Sequence, residues 1–117
     1  MSKTKKEKIL KNYNYPKSIP VGGYTFSIEL IDACHTNASA PHMADTWVDN
    51  EAIRVATRTA DGGHRTISVL EETFIHEIFH AISETWGCQL SEEQVEGMAQ
   101  GWLQVIHALG HKIITEK

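Results

Sequence analysis

The residues best suited to chemistry stand together as His76-Glu77-Ile78-Phe79-His80. Two histidines four apart share one face of a helix, about 6 Å apart along the axis at ~1.5 Å per residue. At that spacing both imidazoles can reach one Zn²⁺, at ~2.0–2.1 Å each. Glu77 is rotated to flank the metal rather than bind it. There it can take a proton from an attacking water and hand it on. With seven His and eleven Glu in 117 residues, chance supplies roughly 0.04 such arrangements. The competing reading is plain solvated surface, since Thr73, His76, Glu77, His80 and Glu84 form one polar strip opposite Leu70, Phe74, Ile78 and Ile82.

A catalytic tetrahedral site needs a third protein ligand and one open position. Several extended patterns are absent. Ser83 and Trp86 stand where a metzincin has Gly and His, and Gln100 stands where a thermolysin-like enzyme has Glu. Phe79 stands where a deformylase has Asp. The acidic start of the next helix remains: Glu92, Glu93 and Glu96. Glu92 shares a face with Val95 and Ala99, and Glu96 lies one turn further on that side, so either can turn inward; Glu93 points away.

The run Glu92-Glu93-Gln94-Val95-Glu96-Gly97-Met98-Ala99 resembles the Glu-x-x-Ala-Asp/Asn-x-Phe-Ala stretch that follows HExxH in two gluzincin groups, the CAAX-prenyl endopeptidases and the ImmA/IrrE-type peptidases. More closely, residues 19–109 resemble short phage-encoded HExxH proteins, with His76-Glu77-Ile78-Phe79-His80-Ala81-Ile82 followed by the Glu-Glu-Gln-Val-Glu helix. The resemblance implies a zinc metallopeptidase with His76, His80 and Glu92 as ligands and Glu77 as general base. It makes Glu96 a group that orients a ligand imidazole, or the alternative ligand. Val95, Glu96 and Met98 depart from the family pattern.

These residues need elements to position them. Ser68-Val69-Leu70-Glu71 fits a capping box opening a helix that runs to Trp86 and stops at Gly87. Ser91 caps a second helix, with Glu92 and Glu93 in its first turn and an apolar strip of Val95, Met98, Ala99, Trp102, Leu103, Val105 and Ile106. The link 87–91 suits an antiparallel pair. Upstream, Tyr24–Ile31 alternates as a strand, with Tyr24, Phe26, Ile28 and Leu30 on one face. A short strand is expected over Thr46–Asp49 and another over Ala52–Thr57, in a small, mainly antiparallel sheet. In zincin folds the edge strand beside the active helix pairs with extended substrate. If Ala52–Thr57 is that edge, Ile53, Arg54 and Val55 would line it and peptides would be the substrate.

The fold expected is α+β and minimal zincin-like, with a basic arm over 1–17 and one domain over 18–117. The arm carries six Lys and one Glu, +5, and is expected to be helical through Ile9 and Leu10. The remainder carries three Arg and two Lys against fourteen acids, −9. That acidic body argues against a nucleic-acid-binding face; only the arm could meet phosphates. No apolar run approaches the ~18 residues of a membrane span, and no apolar segment follows the lysines as in a secretory signal. With two cysteines, a reducing cytoplasm is the expected location, and the resemblance implies that of a bacterial or phage-infected cell.

Other residues carry less. His64 and Arg65 could help a substrate oxyanion, although solvent-exposed roles suit them as well. His107 and His111 are four apart but fit a helix end. Cys34, His35 and His42 form a weak second metal pattern, and Cys88 reads as a small buried side chain. The alternative to an enzyme is a non-catalytic zinc-binding or protein-interaction module on the same fold.

Overall fold

The computed structural model describes residues 12–32, 44–47, 51–59 and 61–117. The helix expected through Ile9 and Leu10, and the Cys34, His35 and His42 pattern, lie outside them. The chain runs β1 (Tyr13–Asn14), β2 (Ser18–Val21), β3 (Tyr24–Ile31), β4 (Ala44–Trp47), β5 (Ala52–Ala56), α1 (Ile67–Trp86), α2 (Glu92–Ala108) and β6 (Thr115–Glu116). The described residues form an α+β domain with two helices and small mixed sheets.

The larger sheet has the order β2-β3-β5-β4. β2–β3 and β4–β5 are antiparallel, but β3 and β5 are parallel, with Ile28 opposite Ile53 and Leu30 opposite Val55. The parallel pair arises because β4 turns the chain back between them. β3 alternates as its sequence requires: Phe26 and Ile28 are buried, while Thr25, Ser27 and Glu29 face solvent. Tyr24, on the same face as Phe26 and Ile28, is exposed at the start of the strand. β4 begins at Ala44, two residues before the expected start, and ends at Trp47.

The arm boundary expected at residue 17 falls too late. β1 pairs antiparallel with β6, and Tyr13 is buried in the core with Ile114. A partner 103 residues further along the chain, Glu116 opposite Tyr13, leaves no local signature.

α1 lies against β4, β5 and β2. Its N-cap is Thr66, whose hydroxyl accepts from Val69 N at 3.3 Å, not Ser68. Glu71 is therefore no capping-box partner. It is buried, and its carboxylate accepts from Ile113 N (2.8 Å), Ile114 N (3.1 Å) and His107 Nε2 (2.8 Å). At the other end Gly87 takes the left-handed conformation, φ 67°, and ends the helix as expected. Gly22, φ 61°, turns β2 into β3 directly against this end, and a Cβ there would stand 2.6 Å from Thr85 Cγ2.

Two apolar clusters share α1. Leu70, Phe74 and Ala81 pack on the sheet with Phe26, Ile28, Ile53 and Val55. Ile75 and Phe79 pack on α2 with Val95, Ala99 and Leu103. Met98, Trp102 and Val105, expected in that second interface, are 43%, 50% and 44% exposed. Cys88, expected buried, is also exposed.

The Glu71 carboxylate holds α1, the end of α2 and the segment entering β6 in one place. Glu71→Ala strands two backbone N–H groups and an imidazole, and should cost about 3–5 kcal/mol in urea unfolding. A loss below about 1 kcal/mol would show that the carboxylate does not hold these elements together.

Candidate metal centre

α1 and α2 run antiparallel, because their contacts pair in reverse order: His76 with Glu96, His80 with Glu92. The loop between them is held by Ser83. Its carbonyl accepts from Cys88 N (3.0 Å) and its hydroxyl from Leu90 N (3.0 Å). Ser91 then caps α2 in a capping box with Gln94. Gln94 takes the reciprocal capping role, so the Glu92 carboxylate is free to turn toward α1.

His76 Nε2, His80 Nε2 and a Glu92 carboxylate oxygen converge on one point, all within 4.8 Å of one another. The two Nε2 atoms are 3.1 Å apart, and His80 Nε2 lies 3.3 Å from Glu92 Oε1. His76 Nε2 is in direct contact with the same oxygen. The rings meet edge-on, centroids 4.8 Å apart. Three lone-pair atoms brought this close need a positive centre among them, either a shared proton or a cation.

Glu96 stands behind this group. Its Oε2 is 3.3 Å from His76 Nδ1, and its Oε1 accepts from Gln100 Nε2 at 2.9 Å. A carboxylate at that distance favours a proton on Nδ1, the tautomer that would leave the Nε2 lone pair facing the cluster. Of the two acids left open by the sequence, Glu92 therefore joins the converging atoms and Glu96 supports His76 from outside. Gln100 was not anticipated; its position one turn after Glu96 is the signal that could have found it.

Burial pushes the Glu92 carboxyl up, but charge on His80 and then His76 outweighs it, so the group titrates below its ordinary value. Glu92 sits at the rim, with its side chain 69% exposed, against 17% for His76 and 29% for His80.

Glu77 is buried on α1 beside His76. At about 100° per residue, it falls between the strip of His76 and His80 and the strip that faces the sheet. His64 lies in a bridge opposite Arg58, and both its ring nitrogens are shielded from solvent without a hydrogen-bond partner. The structure thus brings no hydrogen bond from His64 to the cluster. His107 Nε2 is bonded to the Glu71 carboxylate. Comparison with protein-family models, curated proteins and solved structures finds no match for this chain.

Ile53, Arg54 and Val55 cannot form a substrate-pairing edge, because β5 is bonded to β3 on one side and β4 on the other. Strand order is set by long-range pairing and not by local pattern. Among the described strands the edges of this sheet are β2 and β4, and β4 is the one that lies more extensively against α1.

In metal-free protein, Glu92 should titrate below the ordinary glutamate range in carboxyl-detected NMR. Its depressed value means that its contribution to stability is present at neutral pH and lost on acidification through that lowered value. His76→Ala with His80→Ala should return the titration upward. An ordinary or raised wild-type value would contradict the contact.

Proposed function

We propose that this chain is a minimal zincin-like metallopeptidase, with His76, His80 and Glu92 as Zn²⁺ ligands and Glu77 as general base. The observation that carries the reading is the spacing of the three donors. Bonds of ~2.0–2.1 Å at tetrahedral angles set ligand atoms about 3.3 Å apart. Two of the three separations, 3.1 Å and 3.3 Å, lie near that value, while the His76 Nε2–Glu92 contact is closer and would have to open for an ion to enter. Two imidazoles and a carboxylate are also a donor set suited to Zn²⁺. A structural zinc site closes with four protein donors. Among the described residues this group has three.

A zinc ion bound there would supply Lewis acidity, polarising a scissile carbonyl and making water acidic near neutral pH. The protein's part is positional. Glu96 and Gln100 fix the His76 ring, and Ser83 fixes the loop that delivers Glu92. Glu77, buried between the histidines and the sheet, would accept a proton on its carboxylate and return it to the leaving amine. An extended peptide bonded to the outer edge of β4 would run beside α1, which makes peptides the substrate class. No helix of the described residues is long and apolar enough to cross a membrane, so nothing in them calls for a substrate within a bilayer.

Metal analysis of dialysed protein, with casein and a mixed peptide library as substrates, tests the proposal. Wild type should hold about one zinc per chain, and Glu92→Ala should lose affinity by about 100-fold or more. Glu77→Gln should keep the zinc and lose peptide hydrolysis by at least ~100-fold. Zinc retention with no turnover in the wild type would leave a zinc-binding module. No zinc after reconstitution would overturn both.

A further inference from the structure

α2 has a second apolar strip that the described residues leave uncovered. Met98, Trp102, Val105 and the C-cap residue Leu109 are 43%, 50%, 44% and 68% exposed. Steps of four, three and four residues put them in one line along the helix, the spacing of a helix–helix seam. The buried strip of Val95, Ala99 and Leu103 lies beside it and faces α1.

The rest of α2 is arranged around this strip. Glu92, Glu93, Glu96 and His107 all fall more than about 100° round the helix from its centre. No acid or base interrupts it. Gly101 lies three residues after Met98 and four before Val105, on the edge of the strip. A Cβ there would meet nothing within 4 Å, so the described residues supply no packing reason for a residue that weakens a helix by about 1 kcal/mol relative to Ala. It leaves a notch beside Trp102 into which another surface can approach closely.

We propose that this strip is the contact face of a homodimer, in which α2 packs antiparallel against α2 of a second copy. The steps of four, three and four read the same in both directions. A two-fold axis midway between Leu103 and Gln104 therefore sets Met98 opposite Leu109 and Trp102 opposite Val105 of the partner copy, apolar on apolar throughout. The exposed parts of these four residues amount to roughly 400 Å² per copy, most of it apolar. That is most of the ~65% apolar share of the ~800 Å² each partner gives to a standard interface. The lysine-rich start of the chain is a poorer occupant, because the strip has no acid to meet its five Lys within residues 1–11. The charged sector of α2, with Glu92 and Glu96, stays outside the contact, so pairing leaves the metal-type cluster open.

Sedimentation equilibrium of the full chain under reducing conditions, up to ~200 µM, tests this. Wild type should be a dimer with Kd at or below ~10 µM. Trp102→Glu should weaken it by about 100-fold or more, the loss typical of a central interface tryptophan. Val105→Glu, at a second exposed site, reads the same loss independently of how Trp102→Glu folds. Gln104→Glu adds the same charge on the opposite side of α2 and should leave the dimer intact. A monomer throughout the range would overturn the proposal and leave the strip to a different protein. A dimer that survives both glutamates on the strip, or that Gln104→Glu breaks equally, would overturn it as well.

Discussion

α2 is held to the rest of the domain chiefly through α1, and the geometry of the metal-type cluster depends on that single packing. Two of the converging donors belong to α1 and the third to α2. A slide of one helix past the other by a fraction of a turn would carry Glu92 out of reach, since each residue moves the side chain ~1.5 Å along the axis. Apolar contacts between Ile75, Phe79, Val95 and Ala99 hold the helices together but are tolerant of small slides. Directional polar contacts at both ends remove that tolerance. Ser83 fixes the connecting loop, and the Glu71 carboxylate grips His107 and the backbone beyond α2. A buried carboxylate is costly unless its lone pairs are satisfied. Three donors meet this one, so it contributes register where an apolar residue would contribute only adhesion.

α1 serves three surfaces at once, and its 20 residues are divided among them by the helical period. Leu70, Phe74 and Ala81 fall on the strip facing the sheet, Ile75 and Phe79 on the strip facing α2, and His76 and His80 on a third strip beyond. Few positions are left for ordinary solvated side chains, which is why Thr73, Glu77 and Ser83 are buried although polar. The same division explains the place of Glu77. One residue after His76, it must turn about 100° toward the sheet and away from the strip of the two histidines.

The parts of this arrangement that could be read from the sequence are those set within one turn or one strand. The α1 periodicity, the Gly87 stop, the Ser91 cap and the alternation of β3 are local, and each stands where expected. The His76–His80–Glu92 group needed only two helices and a short link. Three failures share one cause. Glu71 looked like half of a capping box, and its true partners are 36 to 43 residues away. Tyr13 looked like part of a basic arm, and its partner, Glu116 in β6, lies 103 residues further on. The Ala52–Thr57 alternation is real, with Ile53 and Val55 buried, but alternation cannot tell an edge strand from one paired on both sides. Met98, Trp102 and Val105 fail differently: helical spacing shows that residues share a strip, not what covers it.

The placing of Glu92 at the very start of α2 has an electrostatic consequence. The N-terminal end of a 17-residue helix carries a partial positive charge, which by itself would repel a cation bound nearby. Glu92 and Glu93 in the first turn offset it, by about 0.3–1 kcal/mol each. The same field favours ionised Glu92 whether or not a cation is present, so the carboxylate does not have to be stripped of a proton when one arrives. A glutamate deeper in α2 would lack that help, and Glu96, one turn on, is instead engaged with His76 Nδ1 and Gln100. Position along the helix thus separates two chemically identical side chains: the one at the positive end faces the shared point of the imidazoles, and the one a turn later orients a ring.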